Sequence, residues 1–432
     1  YYGDVGQHPE YATPENTSFM GTVVSEFAGE DIVYDSLQNA QQAGVFHDFI
    51  LTKRVVDDEL NTWGYHISLS ADIAKVPITE KALAPLGIHL ATMNIYTGAG
   101  AVIPTKQGAM FTTAQKVLNL NTDFSGSSHN TAQPLLSLRN EALASDDLYS
   151  RVHVTSLDAN MSPWATWMKL GTTSIVLRMM EHDYLGSGKY FKNDMHKVAV
   201  HVAHDTSLNR TVELADGDTI LPIDIQSELV LLAEKLAKSD QGLSAEENLV
   251  LTEWKRVLTD LRADPDQTGD RVEWVARRTF LRKYMARYAL RLPDQQVLKM
   301  DRRWSHIGPG SIGRRMRDTA WAAWMPPTER ITNAYLHPPT TTRALGRASL
   351  IQQYAESLDH NFVATWDTAQ HANVGKEWSM LDPYETGYHE YPIAAASNPA
   401  FIGPELEGSY NGIEEDMDLV NTQETERFIL RN

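Results

Sequence analysis

Cysteine is absent from this 432-residue chain, which excludes disulfides, thiolate metal sites and cysteine nucleophiles. Any metal must therefore bind through oxygen and nitrogen, and the usage is compatible with a reducing compartment. No apolar run approaches the roughly 18 residues of a membrane span, and the opening residues carry no hydrophobic signal core. Positive charge is scarce as well. With 38 Lys and Arg against 56 Asp and Glu, the formal net charge of -18 argues against general affinity for nucleic acid. There is no internal repeat and no low-complexity tract. What the chain does have is core material: 42% hydrophobic residues and 10 Trp, over a length that allows two domains or one large domain with an appendage.

Short β-branched or aromatic runs bounded by Gly, Asn or Pro recur through the first half: HDFILTKRVV, GYHISLS, NIYTGAGAVI and SRVHVTSLD. They predict strands. Helical patterns follow at GTTSIVLRMMEHDYL, and a capping box of Ser244 with Glu247 precedes Val250, Trp254, Val257, Leu258 and Leu261 at helical spacing. A further helix is expected over 271–290. Strands first and helices later, without regular alternation, favour an α+β architecture with an antiparallel sheet. The paired prolines in AWMPPTERI and LHPPTTTRALGR mark a boundary. The expected organisation is a large domain over 1–324, a small C-terminal domain over 325–402 and an acidic tail over 403–432, which has eight acids against two Arg.

Two segments hold most of the candidate chemistry. In an extended opening strand Tyr2 and Asp4 point the same way, and after a bend at Gly6, His8 and Glu10 rejoin that face. A hard cation such as Mg2+ takes carboxylate and water ligands and shares them with phosphates, while a second carboxylate accepts a proton. That division suits Glu10 and Asp4, although by spacing alone an ordinary polar loop is the commoner arrangement. The second segment runs from Arg271 to Arg317, with 13 Lys or Arg against three acids. It reads either as a docking surface for an anion or as a solvated helix face balancing acidic neighbours.

The wording DVGQHPEYATPE, residues 4–15, closely resembles a motif of the ligases for prokaryotic ubiquitin-like protein (Pup) and their sister deamidase-depupylases. TGAGAVI, RVHVTSLDANMS, MKLGTTSIVL, HDTSLNRTVELADG and PPTTTRALGR follow in family order, with Trp366 and LDPY beyond them. The resemblance implies a glutamine-synthetase-like carboxylate-amine ligase domain, with a curved antiparallel sheet and helices holding ATP and Mg2+, plus a small C-terminal domain. It implies Asp4 as catalytic base, Tyr2 and Glu10 as metal ligands, and Thr13 and Trp366 as nucleotide contacts. It also makes Arg151 and His153 nucleotide or metal contacts, and gives Arg343 either phosphate or the capping of the small domain. A Glu-rich metal strand of the form G-x-E-T-E and an ATP-binding Arg are implied upstream of residue 1, so the first strand of the domain is expected to be missing from this chain.

The activity implied is an ATP-dependent isopeptide ligation between the C-terminal glutamate of a small acidic Pup-like protein and lysine-bearing protein substrates, in the cytoplasm and with no membrane or nucleic-acid partner. Arg278, Arg282 and Arg287 of the basic segment are the candidates for binding that modifier, with Tyr284 and Tyr288 supplying apolar contact. Asp4, Val5, Gly6 and Ala12 side with the ligases, whereas LGTTSIVL and HDTSLNRTVELADG lean toward the deamidases. Where the family has a His-Glu-Asn triplet this chain reads His66, Ile67, Ser68, and Leu143 stands where a His is expected. These departures keep an amide hydrolase and a non-catalytic homologue open as alternatives.

Overall fold

The computed structural model describes residues 1–432 except 1, 4–7, 58, 60, 107, 128–131, 140, 142, 146, 186–190, 356–361 and 393–432. The expected acidic tail over 403–432 therefore lies outside the described residues, as does Asp4. The chain divides into two compact units, the larger formed by Ser18–Val23 and Thr52–Pro327 and the smaller by Tyr1–Thr17, Val24–Leu51 and the chain from Thr328 onward. Among the described residues no helix is long and apolar enough to cross a membrane.

The larger unit carries a four-stranded sheet in the order Ile67–Asp72, Tyr149–Val154, Pro134–Ser137, Thr122–Ser125. The sheet is mixed rather than wholly antiparallel. Ile67 pairs with Val154 and Leu136 with Val154 in antiparallel ladders, but Thr122 and Pro134 run parallel. Backbone bonds from Asn121 to Gln133 and from Leu138 to Ser125 fix that parallel register. A separate antiparallel hairpin joins Ala101–Thr105 to Gly108–Thr112. Packed helices dominate the rest. Pro163–Glu181 lies against the Ile67–Asp72 strand and Glu80–Thr92 against Pro134–Ser137. The predicted capping box is present, and Val250, Trp254, Val257, Leu258 and Leu261 all face the core from Ala245–Ala263. The helix expected over 271–290 spans Glu273–Tyr288.

Two expected strands are largely something else. Of HDFILTKRVV only Leu51–Thr52 is strand. Beyond it Lys53 donates to the Asn160 carbonyl at 2.9 Å and Arg54 to Asp301 at 3.0 Å, so consecutive side chains both turn inward and the alternation a ladder needs is lost. In NIYTGAGAVI the first four residues form the helical turn Asn94–Thr97, because Tyr96 and Thr97 bond back to the Met93 carbonyl. Strand geometry begins only at Ala101.

In the smaller unit four antiparallel strands run in sequence order: Phe362–Ala364, Thr368–His371, Lys376–Ser379 and His389–Pro392. Their core gathers Leu350, Ala369, Trp378 and Met380, with Tyr354 and Phe362 packed on it. The segment expected to stand alone from 325 shares this unit with the N-terminal residues. Glu15 takes Arg343 and Arg347, and Tyr335 donates to Asp35 at 3.2 Å.

Candidate functional site

In the smaller unit Tyr2–Gly3 and Pro9–Glu10 form an antiparallel pair that places Tyr2 directly opposite Glu10 and Gly3 opposite Pro9. The backbone register thus sets the two positions expected to bind metal across from each other. The Glu10 and Thr13 side chains are half-buried. Tyr11 anchors the segment between them. Its ring covers Gly29 of the helix Phe19–Gln42, where a Cβ would lie 2.2 Å from the ring carbon, and burial raises the phenol above its ordinary pKa.

Trp366 is also half-buried in this unit, with the Arg347 guanidinium 5.2 Å from its ring centroid and Arg347 Nη1 donating to its carbonyl at 2.8 Å. Arg343 departs from the phosphate role. It is buried, with Nε on Glu15 at 2.7 Å and Nη1 on the Met380 carbonyl at 3.0 Å, which makes it an anchor of the C-terminal segment. Burial alone would raise the Glu15 carboxyl, but the hydrogen bonds and charges of Arg347 and Arg343 outweigh it and hold the group below the usual carboxylate range.

In the larger unit Arg151 and His153 alternate on the Tyr149–Val154 strand with Val152 and Val154, both fully buried. Arg151 Nε donates to Ser68 Oγ at 3.0 Å and its Nη1 lies 3.9 Å from Glu141, which also binds Arg139. The His153 and His66 rings meet edge to face at 5.0 Å. His153 is itself buried rather than exposed, opposite Ser68 and Ser137. The departures now have locations. Ser68 sits on this polar face, whereas Ile67 is buried opposite Val154, and Leu143 adopts left-handed backbone at φ 51°. Among the described residues no group of three or more His, Asp or Glu is placed to hold a metal.

Residues of two family motifs also hold the structure together. A Cβ on Gly98 would lie 2.1 Å from the Thr113 carbonyl, and Gly100, at φ +65°, lies where a Cβ would meet Trp274 and Phe111. Asp158 of RVHVTSLDANMS accepts the amides of Ala99 at 2.9 Å, Gln115 at 3.0 Å and Lys116 at 2.8 Å. Burial raises its pKa despite those bonds and the nearby Lys169. Burial also pulls the Lys116 ammonium down to about 8, against the attraction of Asp158. Trp164 and Trp167 are core residues, and Trp167 donates to Glu246 at 3.0 Å.

The basic segment is far less available than its composition suggests. Arg271, Arg277, Arg278 and Arg317 are buried. Arg277 binds Asp301 at 2.7 Å, and Arg278 is spent on the Thr206 carbonyl at 2.7 Å, on Asp266 at 2.6 Å and on the Trp274 face at 4.7 Å. Arg278 is therefore withdrawn as a modifier contact. Its spacing held the signal, since Trp274, Arg277, Arg278 and Leu281 follow the i, i+3, i+4, i+7 stripe of a helix face. Arg282 and Arg287 remain exposed, and beside them the Tyr284 and Tyr288 rings meet in a tilted pair at 4.9 Å.

A family described as Pup-ligase protein matches residues 1–370. A Pup--protein ligase of Acidimicrobium ferrooxidans is 31% identical over 392 residues, covering 89% of this chain and 84% of that protein. One from Mycobacterium tuberculosis is 30% identical over 376 residues, covering 84% and 81%. The fold is similar to that of the Pup ligase PafA in complex with ADP, with a TM-score of 0.75 at 24% identity over 89% of this chain and 84% of that one. It is likewise similar to PafA in complex with Pup, at 0.76 and 22% over 100% and 87%.

Proposed function

This chain belongs to the Pup-ligase protein family, and from that premise we propose that it is an ATP- and magnesium-dependent carboxylate-amine ligase joining the C-terminal glutamate of a small acidic Pup-like modifier to protein lysines. The observation that carries the reading is the continuity of the family match over residues 1–370, which takes in the ligase-type wording of residues 4–12. The glutamine-synthetase-like character of the large domain, the small C-terminal domain and a cytoplasmic setting belong to the same reading.

A glutamate carboxylate is a poor electrophile. In the first step its oxygen attacks the γ-phosphorus of ATP, the bond to the bridging oxygen breaks, and ADP leaves an acyl phosphate. A lysine amine then attacks the acyl carbon, phosphate departs with the electrons of the broken bond, and an isopeptide remains. The ammonium must first lose a proton, which Asp4 accepts. Glu10 and Tyr2 would hold the magnesium. A donor set this small suits an ion that keeps water and phosphate ligands better than it suits an all-protein cage. When bound, that ion offsets repulsion between the two anions. Thr13 and Trp366 contact the nucleotide. Arg151 and His153, beside Ser68, keep the role of nucleotide or metal contacts. Arg282 and Arg287 steer the acidic modifier, whose apolar residues meet Tyr284 and Tyr288.

The test incubates the protein with a modifier ending in Glu, a lysine-bearing protein, ATP and MgCl2, and reads intact masses. An adduct equal to both proteins less one water supports the ligase. No adduct, with conversion of a modifier ending in Gln to one ending in Glu, would make the chain an amide hydrolase. Neither product, with the modifier still bound, would make it a non-catalytic homologue.

A further inference from the structure

Glu15 carries no role in the reaction described so far, yet its carboxylate engages two guanidiniums. Its Oε1 accepts Arg343 Nε at 2.7 Å and Arg347 Nη1 at 3.1 Å, and its Oε2 accepts Arg347 Nη2 at 2.6 Å. The Arg347 pair is thus a two-oxygen fork, a geometry that sets the plane of the guanidinium as well as its position. That plane has a use. The same guanidinium lies over the Trp366 ring, 5.2 Å from its centroid, and its Nη1 also holds the Trp366 carbonyl at 2.8 Å. The Arg347 side chain is 14% exposed and Glu15 19% exposed, so solvent screens the arrangement only weakly.

We propose that Glu15 is a positioning residue for the nucleotide, acting through Arg347 to fix the orientation of the Trp366 ring against which the base of ATP or ADP stacks. This rests on the reading of Trp366 as a nucleotide contact. A purely structural ion pair would account for Arg343, which ties Glu15 to the Met380 carbonyl and so anchors the C-terminal segment. It does not account for Arg347, whose bonds converge on both the main chain and the ring of one tryptophan. A cation on one face of an indole also polarises the ring that receives the base. Glu15 follows Thr13 by two residues, so one short segment both contacts the nucleotide and orients its second contact.

The test is calorimetric titration of ADP into the full chain and into E15Q, R347K, the double variant and W366A, with ATP kinetics alongside. R347K keeps the charge facing Glu15 but loses the plane, so it carries the test should E15Q fail to fold. The expected result is ADP binding weakened roughly three- to tenfold in each single variant. The double variant should be no weaker than the worse single. KM for ATP should rise while kcat at saturating ATP is largely kept, whereas a role in folding alone would lower kcat through the active fraction and leave KM unmoved. Weakening by E15Q that persists in full on the R347K background, or wild-type ADP affinity in R347K alongside a weakened W366A, would overturn the positioning role. Wild-type affinity in W366A would instead overturn the nucleotide reading on which it rests.

Discussion

His89 offers a pH-dependent measure of the core of the larger unit. It is fully buried in the helix Glu80–Thr92, its Nδ1 lies 3.4 Å from Gln226 Nε2, its Nε2 has no hydrogen-bond partner, and its ring meets Trp254 edge to face at 5.5 Å. Protonation would place a charge among apolar rings, and burial, only partly opposed by Gln226, pulls its pKa from 6.5 down to about 3. The folded pKa lies below the unfolded one, so between those values the unfolded chain binds more protons and stability falls as pH falls. With about 1.36 kcal/mol per pKa unit, the fall between pH 7 and pH 5 is about 2 kcal/mol. For a unit of this size that is roughly 4 °C in Tm. His89→Asn keeps an acceptor for Gln226 but cannot titrate, and the cost of its smaller side chain is the same at both pH values. Scanning calorimetry of wild type and variant at pH 7 and pH 5 should show the variant losing about 4 °C less than wild type on acidification. An equal loss in the two proteins would refute the assignment.

Lys116 titrates at the other end of the scale. Its folded pKa of about 8 lies below the unfolded 10.5, so stability should rise between those values by about 2 to 3 kcal/mol, and Lys116→Met should abolish that rise in urea unfolding. Gly98→Ala drives a Cβ to 2.1 Å from the Thr113 carbonyl and should destabilise the larger unit by about 3 kcal/mol or more, seen as a lowered denaturation midpoint. Asp4→Asn should abolish conjugation with ADP and modifier binding nearly unchanged, and near-normal turnover would remove Asp4 as the base. Glu10→Gln should weaken magnesium-dependent ADP binding itself, and an affinity equal to wild type would take Glu10 out of the metal site.

Local pattern determined a good deal of this molecule before any fold was considered. The helix from Ala245 follows from its capping box and five apolar positions at helical spacing, because both are interactions between residues within a few positions of each other. The family wording likewise brought Tyr2 and Glu10 forward, and the hairpin register sets them opposite each other. Charge counting could not say which of the cations face solvent, because composition is blind to direction. Arg277 and Arg278 share a helical stripe with Trp274 and Leu281, and the fold turns that stripe inward onto Asp301 and Asp266. Only tertiary structure decided what Glu15, Arg343, Arg347 and Trp366 are to one another. More than 300 residues separate Glu15 from Arg343, so no local pattern could pair them; the packing of both segments brings the carboxylate and the two guanidiniums together, and, buried or half-buried there, their charges offset one another.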